Sequence, residues 1–271
     1  MNERQNKKNT LLWKVEGAKI SGTSYLFGTM HVKDLRAFQL MDHIYPRIDQ
    51  CETFATEFNL EEMEFNLDPT LMNLPEGQRL GDLIEEKTYK KLTKIFRKTV
   101  GINIENFQRM QPLIIANMIN ERILSADMPV SLDMHLWDYA KSQEKITLGI
   151  ETYQEQINIL KKIPIEYQLK SLIEMGKRFK KHRKGLLKMT EQYQKAEIKK
   201  LYKSGLKSAK GLKKLLIYDR NLIMAERFYT HIKEQSMFYA VGAGHLGGEK
   251  GLLRLLKKRG LKVKPVQLTS N

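Results

Sequence analysis

The sequence predicts an α/β protein, and three features carry that reading. The chain opens on two short strands joined by a tight turn. Twice afterwards a short apolar run ends in a glutamate and gives way to a polar helix start. It closes on a strand, a glycine-rich loop, a helix and a further strand. At 271 residues the chain is long enough to bury a sizeable core. Its 41% hydrophobic and 29% charged residues, with 7 Pro and 17 Gly, exclude disordered and fibrous classes.

The elements follow in order. Leu11 to Gly17 and Tyr25 to Gly28 read as a hairpin turning through Gly17, Ser21 and Gly22. After His31 the pattern is helical, and Thr53 to Glu57 reads as a short buried strand. Leu74 to Asp82 is a loop, with Asp82 expected to cap a helix whose apolar positions are Leu83, Ile84, Leu92, Ile95 and Phe96. Helices are expected over Pro112 to Ile123 and Leu132 to Lys141, then a strand over Lys145 to Glu151 with a helix starting at Thr152. Residues 165–214 read as basic helices and Tyr218 to Ile232 as another helix. The last unit is a strand at Met237 to Val241, a loop at Gly242 to Gly248 and a helix at Glu249 to Arg259. Gly260 closes that helix, and a strand follows at Leu261 to Leu268.

The net charge of +16 is concentrated in one segment. Residues 161–214 hold 18 Lys and Arg against 4 Glu, whereas the rest of the chain holds 29 cations against 27 anions. The segment reads as a solvated helical surface, or as an amphipathic face for an acidic partner or an anionic membrane surface. Nucleic acid is not the expected partner, because aromatic residues are sparse there and no recognised binding motif is present. A phosphate-binding G-x-x-x-x-G-K-[ST] loop and an H-E-x-x-H zinc helix are both missing. The N-terminus lacks the apolar stretch of a signal peptide, which reads as cytoplasmic for the chain as given, or exported if a leader was removed. Cys51, the single cysteine, reads as a buried structural thiol.

Four polar residues fall at or just beyond the carboxyl ends of separate apolar strands: His31, Glu57, Glu151 and His245. In open α/β sheets ligands bind at those ends, where loops diverge and helix N-termini point at the ligand. Two of the four belong to matching segments, Gly28-Thr-Met-His31 and Gly242-Ala-Gly-His245, in which the glycine allows a sharp exit from the strand. Two imidazoles and a carboxylate resemble the three protein ligands of a catalytic metal centre. His43, His135, His182 and His231 have no such placement and are read outside the site. Arg220 opens a helix and reads either as a solvated charge or as a clamp for an anion or oxyanion. Glu155 and Gln156 read as helix-start residues, Asp133 as an N-terminal helix charge, and Glu151 as a second acid or a group orienting a histidine.

Taken in order, several blocks resemble the TraB/PrgY/GumN family, to which the animal Tiki proteases are related. They are Trp13-Lys-Val15, Ser24 to Val32, Thr56-Glu57, Leu74-Pro-Glu-Gly-Gln-Arg-Leu-Gly-Asp-Leu83, Ser131 to Leu136, Leu148 to Gln156, Arg220 to Ala225 and Ala240 to Leu253. The resemblance runs from about residue 11 to residue 268 and implies one domain over residues 1–271. It also implies a mixed sheet flanked by helices, similar to the erythromycin-esterase and ChaN-like group. The site it implies consists of His31, His245, Glu57 and Arg220. The strongly basic 161–214 segment departs from the family's pattern.

The expectation for function is therefore a metal-dependent hydrolase, a peptidase acting on a peptide or small-molecule substrate. In it His31, His245 and Glu57 bind Mn, Co or Zn, Glu57 serving as ligand or general base. Arg220 stabilises the developing oxyanion and Glu151 assists catalysis. Two alternatives remain open at this point: a metal-free esterase-like hydrolase, and a non-catalytic protein that binds a peptide signal.

Overall fold

The computed structural model describes residues 9–65, 72–209 and 211–267. Six strands form one mixed sheet: β1 (Leu12–Glu16), β2 (Ser24–Thr29), β3 (Thr53–Phe58), β4 (Ile146–Glu151), β5 (Met237–Gly242) and β6 (Lys262–Pro265), in the order β4-β3-β5-β2-β1-β6. The four strands from β4 to β2 run parallel, while β1 is antiparallel to both of its neighbours. The opening hairpin therefore covers one side of a parallel centre, and β6 closes the edge beyond it.

Strand alternation divides the core between the two faces of this sheet. Phe27, Phe54 and Phe238 face Trp137 and Leu136 on one side, whereas Leu26, Ala55 and Tyr239 face Met224 and Phe228 on the other. The helices on the first face include α1 (Met41–Asp49) and α6 (Leu132–Ser142), and those on the second include α11 (Asp219–His231) and α12 (Leu252–Lys258). The short α2 (Leu60–Phe65) follows β3. A third apolar cluster lies away from the sheet, formed by Leu92, Phe96, Ile115, Ile119 and Leu172. It is built by α3 (Leu80–Leu83), α4 (Glu86–Val100), α5 (Pro112–Ile123) and α8 (Ile165–Lys177).

The helix expected after Asp82 begins later than the sequence suggests. Asp82 lies inside α3, and the carboxylate that caps α4 is Glu85, which accepts from the amides of Lys87 and Thr88. An acidic side chain two residues before the first free amides meets the same need as one five residues earlier, so local pattern did not separate them. Likewise α12 starts at Leu252 rather than Glu249: Gly248 takes a left-handed φ of 80°, which an α-helix does not admit, and Tyr202 packs against Gly247 and Gly248. The final strand ends at Pro265, and Leu268 lies outside the described residues, as do Met1 to Lys8. Elsewhere α5 spans the expected residues, and α7 (Tyr153–Lys161) starts on a capping box between Thr152 and Glu155.

The basic segment folds as α8, α9 (Phe179–Gln194) and α10 (Ile198–Ser208). These helices also supply packing: Tyr193 and Leu201 enter the first core and Ile198 the second. Among the described residues no helix is long and apolar enough to cross a membrane.

Candidate active site

The carboxyl ends of β2 and β5 lie side by side, since Thr29 pairs with Gly242 in parallel register. The two Gly-x-x-His loops thus leave adjacent strands at the same level. They also touch. A Cβ on Gly28 would stand 2.7 Å from Leu246 Cδ1 and 3.1 Å from Ala243 Cβ, so only a glycine lets the second loop fold down on the first.

Glu57, from the end of β3, reaches across to this junction. One carboxylate oxygen accepts from the Gly242 amide at 2.9 Å and lies 3.9 Å from His245 Nε2. The other accepts from Arg220 Nη2 at 2.6 Å. Burial works against the charged carboxylate, but Arg220, then His245 and the Gly242 amide, outweigh it and hold its pKa at about 2. Glu151, from the end of β4, takes the remaining side of the same guanidinium: Arg220 donates to it from Nε at 3.1 Å and from Nη2 at 2.6 Å. Burial raises the Glu151 pKa against the pull of Arg220. Gln156 donates a further bond to it at 2.8 Å. Arg220 itself is largely withdrawn from solvent yet held firmly protonated by the two carboxylates. Glu151 therefore contacts the arginine and Gln156 rather than a histidine. Glu155 stays at the helix start and pairs with Arg227.

The histidines are held differently. His245 is buried, and burial lowers its pKa to about 4, so its ring is neutral at ordinary pH. Asn221 fixes its tautomer. The Asn221 amide nitrogen donates to the carbonyls of Lys250 and His245, which leaves its oxygen to accept from His245 Nδ1 at 2.6 Å. His245 Nε2 then carries the lone pair on the Glu57 side. His31 is open to solvent, with 68% of its side chain exposed, and its Nδ1 lies 3.2 Å from Asp133 Oδ2. The hydrogen bond to Asp133 is the main reason its pKa is raised; the charges of Asp133, Glu121 and Glu57 add to it. Asp133 in turn accepts from Thr29 Oγ1 at 2.5 Å, and the buried Tyr193 hydroxyl donates to the Gly28 carbonyl at 2.8 Å.

Sequence reasoning missed three of these partners. Asp133 reads from the sequence as an N-terminal helix charge, and nothing local marks Asn221 or Tyr193. Asp133 opens α6, Asn221 reaches the loop over residues 242–251 from α11, and Tyr193 reaches back to Gly28 from α9, so no local spacing connects any of them to the motif segments. The four histidines read outside the site are elsewhere: His135 bonds Tyr45, His182 bonds Asn120, and His43 and His231 lie on α1 and α11. Cys51 is buried and its thiol is pushed up to about 12 by burial, consistent with a structural role.

A mixed sheet with histidine, carboxylate and guanidinium groups gathered at its parallel strand ends is an α/β protein with a polar cluster at the end of the sheet where open α/β folds place their ligands. The chain belongs to the TraB/PrgY/gumN family, whose model matches residues 11–265. Among curated proteins it is similar to the Metalloprotease TIKI homolog of Amphimedon queenslandica, at 23% identity over 97% of this chain and 62% of that protein. It is also similar to Metalloprotease TIKI1 of Xenopus tropicalis, at 22% identity over 97% and 63%, and to Metalloprotease TIKI2 of Danio rerio, at 23% over 96% and 61%. The chain thus spans about three-fifths of the length of these relatives. No solved structure matches it.

Proposed function

We propose that this chain is a hydrolase of the peptidase type that works at the strand-end site with a divalent transition metal ion held by His31, His245 and Glu57. The observation that carries this reading is the tethering of both imidazoles through Nδ1, to Asp133 and to Asn221, which leaves both Nε2 lone pairs for an electrophile. Metal-ligating histidines are oriented in this way by carboxylate or carbonyl partners. The protease names of the relatives support a peptide as the substrate.

The donor set fits such an ion in kind, with two imidazole nitrogens and an anionic carboxylate. As placed, no three or more His, Cys, Asp or Glu side chains among the described residues form a group at metal-binding spacing, and the exposed His31 is the donor least fixed by packing. A bound Mn, Co or Zn ion supplies Lewis-acid activation of water and of a scissile carbonyl. Glu57, clamped at about 2, is a weak proton acceptor at neutral pH, which favours the ligand role over that of general base. Arg220 holds Glu57 and Glu151 in place through Nε and Nη2, and its Nη1, which has no hydrogen-bond partner among the described residues, would serve negative charge developing on the substrate.

The His31–Asp133 pair favours a second reading, in which a carboxylate-oriented histidine takes a proton from water without a metal. One experiment separates the two. Metal content is measured in purified protein and in a His31→Ala/His245→Ala variant, and a peptide library is digested before and after chelation. Near-stoichiometric metal that the variant lacks, with cleavage lost on chelation and restored by Mn, Co or Zn, is the expected result. Cleavage that survives chelation but is lost in His31→Ala selects the second reading. No cleavage with any of the three ions overturns the hydrolase.

A further inference from the structure

A groove of about 700 Å³ runs between the ends of α4 and α5 and α9, lined by residues other than those of the strand-end site. Its rim carries Arg122, Lys180, Arg183, Lys184 and Lys188, all exposed, with Glu191 as the one acidic lining residue. Among the described residues none of these five cations forms an ion pair. Some surface cations elsewhere are paired, as in Lys90 with Glu86 or Arg259 with Glu226, and many are not, so it is the clustering of five around one recess that marks this groove. On α9 the lining positions 180, 183, 184, 187, 188 and 191 follow helical spacing, so one face of the helix is presented to the groove. Ile123 and Phe179 are buried in the floor, and Val100 and Leu187 are half-buried beside them. His182 donates from Nε2 to Asn120 at 2.7 Å and fixes α9 against α5, so the walls are held together by a bond outside the groove.

We propose that this groove docks an acidic polypeptide segment whose apolar side chains enter the floor while its carboxylates meet the rim. Five unpaired cations around one recess favour an anionic occupant, and charge complementarity of this kind gives both steering and selectivity. The apolar floor selects an occupant with side chains that reach inward. A bilayer does not suit the shape. Helices that lie on membranes expose large apolar residues to insert, and the exposed large hydrophobics here are Leu35, Ile146, Leu222 and Ile223, none of them in the groove. Nucleic acid does not suit it either, because Phe179, the aromatic of the groove, is buried and offers no face for a base to stack on. The docking site does not depend on the hydrolase reading.

The test uses the full chain and a fluorescent peptide alternating Glu with Leu, followed by anisotropy. The expected result is saturable binding that weakens steeply with salt and falls about tenfold or more in Arg183→Glu/Lys184→Glu. Replacing every Glu of the peptide by Gln should abolish binding, and Leu187→Ser should weaken it by about threefold or more. Lys199→Glu/Lys203→Glu, which reverses two charges on α10, should leave affinity within about twofold. Equal loss in the α10 variant would show diffuse attraction to a basic surface and overturn the docking site. So would tighter binding of anionic phospholipid vesicles or of a single-stranded oligonucleotide through Arg183 and Lys184. The substituted residues on the rim are exposed, and far-UV circular dichroism confirms that each variant is folded.

Discussion

Replacing Arg220 by Met removes the one guanidinium that serves both Glu57 and Glu151 while keeping a side chain of similar length. The wild-type pKa of Glu57 is about 2 against an ordinary 4.5, a difference worth about 3 kcal/mol at most. Breaking a buried ion pair from one side costs about 3–5 kcal/mol, because the uncompensated charge stays behind. The loss should therefore approach 3–5 kcal/mol near neutral pH and depend on pH in a defined direction. In the wild type the Glu57 value is depressed, so its contribution is complete above 4.5 and is lost as pH falls toward 2. In the variant, burial and the neighbouring Glu151 raise both carboxyls, so the penalty grows as pH rises and shrinks when one of them takes a proton. The gap between the two proteins should be widest at about pH 8 and close toward about pH 5. Urea unfolding followed by circular dichroism across that range measures it. A loss below about 1 kcal/mol, or one that is flat with pH, would refute the assignment of Arg220 as the shared counter-charge.

Three further outcomes are expected. His245, neutral in the fold with a value near 4 against 6.5 unfolded, should cost stability as pH falls from about 6.5 to about 4, and His245→Gln should flatten that part of the unfolding curve. Asn221→Leu should lower turnover by about 10–100-fold through loss of the His245 tautomer while leaving binding of the Glu-Leu peptide unchanged; retained turnover would show that Asn221 only packs. Gly28→Ala should destabilise by about 1–3 kcal/mol, seen as a lower Tm, because its Cβ would meet Leu246 and the Ala243 backbone. An unchanged Tm would mean that the two motif loops are not packed against each other.

Much of the fold was legible because it rests on local physics. The hairpin, the short strands that carry Glu57 and Glu151 near their ends, the capping box at Thr152 and the closing strand-loop-helix-strand unit are each written in residues that neighbour one another. The places where local reading slipped, Glu85 in place of Asp82 and Leu252 in place of Glu249, are helix starts decided by which polar group caps the first amides and by where a glycine turns left-handed. For the site, the sequence by itself determined that His31, Glu57, Glu151 and His245 stand at or just beyond strand ends, because strand length and the residues that end it are local properties. Tertiary structure decided what holds them. The side-by-side packing of β2 and β5 set the two loops at one level, and helices far apart in the chain delivered Arg220 to two carboxylates, Asn221 to His245 and Asp133 to His31. Those partners come from elements separated by up to 163 positions, and a hydrogen bond of that span leaves no periodicity behind in the sequence.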